Sequence, residues 1–255
     1  MMPLGDDNSQ NRGFAVVNYS LIAVCVLVFL VPQRAGMPEG APFTVSWSLV
    51  PEEIVTGKDL VRPAETRLMK HNNRVMDVRD PGLGATPSVY LTPFTSMFMH
   101  GSIMHLLGNM LFLWIFGDNI ESRFGSARYL GFYLLGGLAA GGAHVAAVYA
   151  FRGDPRVPCL GASGAISAVM GAYMLLFPAN RVKVLMFRFI TEVPAIVAVG
   201  LWFVMQVVSA SYDKDGSGGV AYGAHIGGFI AGLPLALIFC PQTPPGAGFG
   251  NSPDE

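Results

Sequence analysis

Charge disappears from this chain in long blocks, and the blocks are apolar. An uncharged run centred on Phe14–Val31 lies between Arg12 and Arg34, and the next runs from Pro81 to Gly117, apolar from Phe94 onward. Tyr129–Phe151, Val157–Asn180 and Val193–Tyr212 follow, and the last run, Gly216–Pro253, is apolar from Val220 to Cys240. A helix needs about 20 apolar residues to cross the hydrocarbon core of a bilayer. The pattern therefore predicts six transmembrane helices, at about residues 14–31, 95–117, 129–151, 159–178, 193–210 and 220–240. Their glycines and prolines are compatible with this, because membrane helices tolerate both. The expected fold class is an all-α polytopic membrane protein. Residues 13–240 form its membrane domain, residues 1–12 a cytoplasmic leading segment, and residues 241–255 a Pro/Gly-rich, disordered tail.

The longest connection, Pro32–Pro93, separates the first two spans and carries seven of the sixteen Lys and Arg residues. Its middle, Pro51 to Lys70, mixes charges with Ile54, Val55, Leu60, Val61, Leu68 and Met69. This reads as short amphipathic helices lying on the membrane surface. Positive charges in short loops set orientation. With the N-terminus in the cytoplasm, the inner segments hold Arg12, Arg123, Arg128, Arg181, Lys183 and Arg188, and the short outer loops hold Arg152, Arg156 and Lys214. The count favours a cytoplasmic N-terminus.

Composition narrows the classes further. Only 13% of residues are charged, about half the share in soluble domains. The net charge of −1 gives no basic surface for nucleic acid. Cys25, Cys159 and Cys240 are scattered without metal-ligand spacing and read as small apolar packing groups. The leading residues lack the pattern of a cleavable signal or an Arg-rich presequence.

The polar residues that do enter the spans are not spread evenly. The second span carries His100, His105 and Asn109, the fourth Ser163, and the sixth His225. These three spans all start from the same side of the membrane, and the residues lie in their first halves. At 1.5 Å per residue, Ser163 and His225 would lie roughly 10 Å below the mouths of their helices. The topology alone thus gathers a serine, histidines and an asparagine in one layer. An ionisable residue inside the membrane is a functional hypothesis by default, because it is costly to keep there.

Ser163 stands in Gly161-Ala162-Ser163-Gly164-Ala165. Taken alone, that stretch is equally a nucleophile or a helix-packing motif, since Gly, Ala and Ser favour close helix contact in lipid. A serine hydroxyl needs a base to become a nucleophile, and His225 is the candidate. Small residues around it, with Gly228 and Gly232 spaced as GxxxG, allow the sixth helix to approach the fourth. His105 and Asn109, four residues apart, share a helix face and can both donate to an oxyanion. The amide of Ser163 near a helix start can add a third donor. No Asp or Glu lies in the predicted spans, so the arrangement reads as a dyad. His100, five residues before His105, points about 140° away around a helix and reads as structural. His144 in the third span reads as a buried or surface histidine. Glu121 closes the second span, where it can anchor the loop with Arg123 or Arg128. A metal site of His100, His105 and His225 is the alternative, but it lacks a carboxylate and an HExxH. No metal or cofactor is expected.

These residues resemble the rhomboid intramembrane serine proteases. The matching pieces are His100-Gly-Ser-Ile-Met-His105-Leu-Leu-Gly-Asn109, Gly161-Ala162-Ser163-Gly164, and Ala224-His225-Ile-Gly-Gly228-Phe-Ile-Ala-Gly232, supported by Gly117 to Glu121 with Gly125 and Tyr129. The resemblance covers about Leu91–Cys240 and implies a six-helix rhomboid fold in a prokaryotic plasma membrane, cleaving transmembrane substrate proteins. By that pattern Ser163 is the nucleophile and His225 the base. His105, Asn109 and the Ser163 amide form the oxyanion hole, Gly161 shapes the loop before the serine, and His100 is structural. The fifth helix, with Trp202 and Phe203, would be the lateral gate, and the long first loop would dip into the membrane. Two departures stand out. Many members have an aromatic four residues after the nucleophile, stacked on the catalytic histidine, and here that residue is Ser167. The Trp-Arg pair of the family's first loop is missing between Pro32 and His100. Two other classes remain: a rhomboid-like binder of transmembrane helices that does not cut, and a proton-coupled channel or transporter, which the lack of intramembrane carboxylates disfavours.

Overall fold

A computed structural model of the chain describes residues 2–9, 13–61, 63, 65–71, 74–80, 82, 84–86, 88–186, 188–212 and 220–241. The expected disordered tail, apart from Pro241, lies outside the described residues. In chain order the elements are strand β1 (Met2–Asp6), helices α1 (Val16–Leu30), α2 (Ala41–Ser46) and α3 (Pro51–Thr56), strands β2 (Glu65–His71) and β3 (Arg74–Asp80), helices α4 (Thr92–Thr95), α5 (Ile103–Phe124), α6 (Ser126–Ala150) and α7 (Ser163–Leu176), strands β4 (Arg181–Met186) and β5 (Phe189–Pro194), and helices α8 (Ala195–Tyr212) and α9 (Tyr222–Phe239). Short 3₁₀ turns punctuate the segments before α2 and around α4.

The six predicted spans correspond to α1, α5, α6, α7, α8 and α9. Of these, α5, α6, α8 and α9 are long and apolar enough to cross a membrane. The other two, α1 and α7, are apolar but only 15 and 14 residues long. The chain is mostly helical rather than all-α, because β1, β4 and β5 form an antiparallel sheet in the order β1-β4-β5, and β2 pairs with β3. The connection after α1 is corrected as well. Its expected surface helices reduce to α3, and Glu65–His71 and Arg74–Asp80 instead pair as strands, with His71 opposite Arg74. Pro63 interrupts any helix continuing from Lys58, and β-branched Thr66, Val75 and Val78 suit a strand.

The second span starts eight residues later and ends seven residues later than the expected 95–117. It starts at Ile103, where the Ser102 side chain caps it by accepting from the His105 amide at 3.1 Å. It runs on to Phe124 and so carries Asp118 and Glu121 inside it, both buried. Charge does not end this helix because its far end is paired. The Glu121 carboxylate accepts the Val17 and Asn18 amides at 3.0 and 2.7 Å and the Ser126 hydroxyl at 2.5 Å. It thereby caps α1, whose Ala15 N-cap has no side-chain acceptor. These partners replace the expected Arg123 and Arg128. Beside them the Asn18 Nδ2 donates to the Leu113 carbonyl, and the Tyr129 hydroxyl donates to Asn18 Oδ1 at 2.7 Å. Three helices are thus tied together at one end by satisfied buried polar groups.

Helix α7 is the centre of the fold, buried without interruption from Gly164 to Tyr173. It is surrounded by α5, α6, α8 and α9. Its approach to α9 and α6 runs along small residues. Gly232 lies against the Ala168 backbone, Gly171 against the Phe229 carbonyl, and Gly136 against the Ala168 methyl.

Candidate active site

Helix α7 begins at Ser163 itself. The serine is therefore at the first helical position and not a turn and a half inside a helix, as the charge-free window implied. What precedes it is extended chain. Leu49 and Cys159 exchange backbone hydrogen bonds at 3.0 and 2.7 Å, and the Gly161 amide donates to the Ser96 carbonyl at 2.9 Å. Gly161 turns the chain into the helix with φ 130°, where a side chain is strained. A Cβ there would also stand 2.9 Å from His105 Cε1 and 3.0 Å from its Nε2. The glycine is thus required twice, for its conformation and for the space the imidazole occupies.

His225, in the first turn of α9, places Nε2 at 2.8 Å from Ser163 Oγ. The two helices reach this distance because Gly228, one turn on, has no side chain to hold off the Gly164 backbone. The other ring nitrogen, Nδ1, is 2.8 Å from Gln206 Oε1 on α8. Ser167 stays away from the imidazole, and its hydroxyl donates to the Ser163 carbonyl at 2.7 Å. Trp202 lies alongside the ring with centroids 6.1 Å apart. It also meets Phe112 on α5, while Phe203 stacks on Phe229 at 4.3 Å.

On the facing helix, His105 Nδ1 accepts the Gly101 amide at 3.4 Å. An accepting Nδ1 leaves the hydrogen on Nε2, the nitrogen beside Gly161. Asn109 follows one turn later, buried, and its Nδ2 has no hydrogen-bond partner among the described residues. His100 is not turned away from His105. It precedes α5, so helical spacing does not apply, and the two rings meet edge to face at 5.2 Å. It is fully buried, and its segment is clasped by Gln33. The Gln33 amide donates to the His100 carbonyl and accepts from the His100 N–H, each at 3.0 Å.

His105, Asn109, Ser163, Trp202, Gln206 and His225 line one cavity of about 770 Å³, and His100 lies behind His105 outside its lining. His144 lies on its wall from α6. Glu121 is not part of the neighbourhood, standing about 24 Å further along α5 than His105. Among the described residues no three His, Cys, Asp or Glu side chains gather as a metal site. Chemically the arrangement offers a hydroxyl in hydrogen-bond contact with an imidazole, and His105 and Asn109 as side chains able to donate in the same cavity. It has what acyl transfer requires. Sequence reasoning did not find Gln206. The available signal was an amide flanked by Val204, Met205, Val207 and Val208, four residues after Trp202 and hence on its face.

The family model described as the Rhomboid domain matches residues 87–242. Among curated proteins the chain is 34% identical over 143 residues to the rhomboid protease GluP of Bacillus subtilis, covering 56% of this chain and 25% of that one. It is 33% identical over 144 residues to the mitochondrial Rhomboid protein 1 of Saccharomyces cerevisiae, covering 54% and 38%. To the rhomboid protease GlpG of Salmonella paratyphi A it is 30% identical over 145 residues, covering 57% and 47%. The chain spans less than half the length of these relatives.

Proposed function

This chain belongs to the rhomboid family, and on that premise we propose that it is an intramembrane serine endopeptidase acting on transmembrane proteins. The observation that carries the reading is the 2.8 Å contact between Ser163 Oγ and His225 Nε2 inside the cavity. In the first step the Ser163 oxygen attacks a substrate carbonyl while its proton passes to His225 Nε2. The oxyanion faces His105 Nε2–H, the Asn109 amide and the Ser163 backbone N–H, which has no intrahelical partner at the start of α7. Support for Asn109 is its buried Nδ2, a donor without a partner among the described residues and free to bond an oxyanion. The tetrahedral intermediate then expels the amine, which takes the proton from His225, leaving an acyl-serine. Water, deprotonated by the same imidazole, releases the acid and restores the serine.

In this reading α1, α5, α6, α7, α8 and α9 are the six membrane-spanning helices, with α1 and α7 crossing short. The N-terminus is cytoplasmic and the cavity faces the opposite side, where water reaches it. The connection after α1 lies at the membrane on that side. Helix α8 is the lateral wall past which a substrate helix reaches Ser163. Its outward side chains, among them Leu201, Val204, Met205 and Val208, are exposed and apolar as lipid contact requires.

The test is labelling of the full chain in liposomes with a fluorophosphonate probe, alongside cleavage of a transmembrane reporter. Wild type should label and cleave, and Ser163→Ala should do neither. Equal labelling of the two would sink the assignment.

A further inference from the structure

Resting on the dyad proposed above, we infer that Gln206 of α8 is a positioning residue that fixes the proton of His225 on Nδ1 and so keeps Nε2 free to act as base. Its Oε1 is 2.8 Å from Nδ1, on the opposite side of the ring from the serine, whose Oγ is 2.8 Å from Nε2. An amide oxygen only accepts, so Nδ1 must donate, and the remaining lone pair falls on Nε2 where Ser163 presents its proton. The opposite tautomer would aim an N–H at the hydroxyl and could take nothing from it.

Among the described residues nothing else in the site does this work. Ser167, where an aromatic side chain would have braced the imidazole from α7, turns its hydroxyl to the Ser163 carbonyl instead. Trp202 and Tyr222 border the ring at centroid distances of 6.1 and 6.4 Å, which limits its tilt but carries no information about its proton. The ionisable groups around His225 do not supply the missing acceptor either. His105 faces it from α5 and His144 from α6, α7 offers none, and Asp154 sits at the exposed rim of the cavity. Gln206 thus holds the place that a carboxylate takes in a three-membered relay, without adding a negative charge to an apolar span.

The experiment compares Gln206→Met, which keeps the size but not the strong acceptor, with Gln206→Glu, whose carboxylate can accept. Rates of fluorophosphonate labelling are measured from pH 5 to 9, with KM and kcat for a transmembrane reporter. Gln206→Met is expected to label roughly 10²-fold more slowly, a large part of what a general base contributes, with KM nearly unchanged. Gln206→Glu should recover most of the rate at high pH, with its acidic limb moved upward because a carboxylate stabilises the imidazolium. Wild-type labelling by Gln206→Met, or a Gln206→Glu rate as low as that of Gln206→Met at every pH, would overturn the inference. Ser163→Ala run in parallel separates the two readings. If it still labels, the protease assignment fails. If it is silent while Gln206→Met labels normally, only the role of Gln206 fails.

Discussion

Gly228 of α9 lies so close to Gly164 of α7 that a Cβ on it would overlap the Gly164 carbonyl oxygen and press on the Ala140 methyl. Three helices meet at this point, one residue along α7 from Ser163 and one turn along α9 from His225. The Ser163–His225 distance is therefore set by backbone contact and not by the reach of side chains. Gly228→Val should separate α9 from α7 and abolish probe labelling, and lower stability by about 1–3 kcal/mol through overpacking. Thermal unfolding in detergent and labelling kinetics check it. Wild-type labelling by a folded Gly228→Val protein would contradict the contact.

Gly161→Ala should act on rate more than on stability. The new methyl meets His105 Cε1 at 2.9 Å and needs a left-handed backbone. The imidazole must yield, and the proposed oxyanion donor moves with it. A loss of roughly 10²-fold in kcat is expected, on the scale of removing one oxyanion donor. Reporter cleavage measures the rate, and a melting curve shows that the fold persists.

Asn109→Ala removes a buried donor that has no partner to abandon among the described residues. Its ground-state cost is therefore small, while the transition state loses a hydrogen bond. The expectation is a kcat lower by about 10²–10³-fold with KM little changed. Comparable losses in KM and none in kcat would place Asn109 in substrate binding instead.

Glu121 is predicted to matter for stability and not for chemistry. It is 3% exposed and accepts two α1 amides and the Ser126 hydroxyl. Glu121→Ala strands these donors and should cost about 3 kcal/mol, with Glu121→Gln costing less because one oxygen remains. Chemical or thermal unfolding resolves the pair, and the folded fraction of each should label at the wild-type rate.

Asp6 brings a pH dependence to the other end of the molecule. Burial pushes its carboxyl from 3.8 up to about 7, assisted by the nearby Asp118 and Asp7 charges and opposed by the hydrogen bond from Tyr173. The Tyr173 hydroxyl and Asn119 Nδ2 donate to its Oδ2 at 2.6 and 2.8 Å, joining β1 to α7 and α5. A raised carboxyl means the folded chain holds a proton that the unfolded chain has released. The stabilisation is complete below about pH 4 and declines as pH rises to about 7. Melting temperature should accordingly fall between pH 5 and 8 more in wild type than in Asp6→Asn. Hydrogen exchange at the β1–β4 pairing should loosen over the same range in wild type only.

Much of the arrangement was legible because membrane helices follow a simple rule. Blocks of twenty uncharged apolar residues announce helices, and the direction of each helix follows from counting. His105, Asn109, Ser163 and His225 could be expected together before any coordinates, and all four line the one cavity. Helix ends were less legible. The second span carries Glu121 inside it because α1 and α6 supply its partners, and a charge with partners from distant sequence cannot be recognised locally. The strands β1, β4 and β5 were missed for a similar reason, since each is short and gains its hydrogen bonds only from the others.

The sequence by itself determined which polar residues line the cavity: their type and spacing in apolar helices leave few other places for them. The tertiary structure alone decided how the His225 imidazole is held. Ser167 turns to the Ser163 carbonyl and not to the imidazole, and Gln206, nineteen residues before His225 on a separate helix, meets it only when α8 packs beside α9. A hydrogen bond of 2.8 Å depends on helix rotation and separation to within an ångström, and those are set by side-chain packing between helices, which no spacing along one chain encodes.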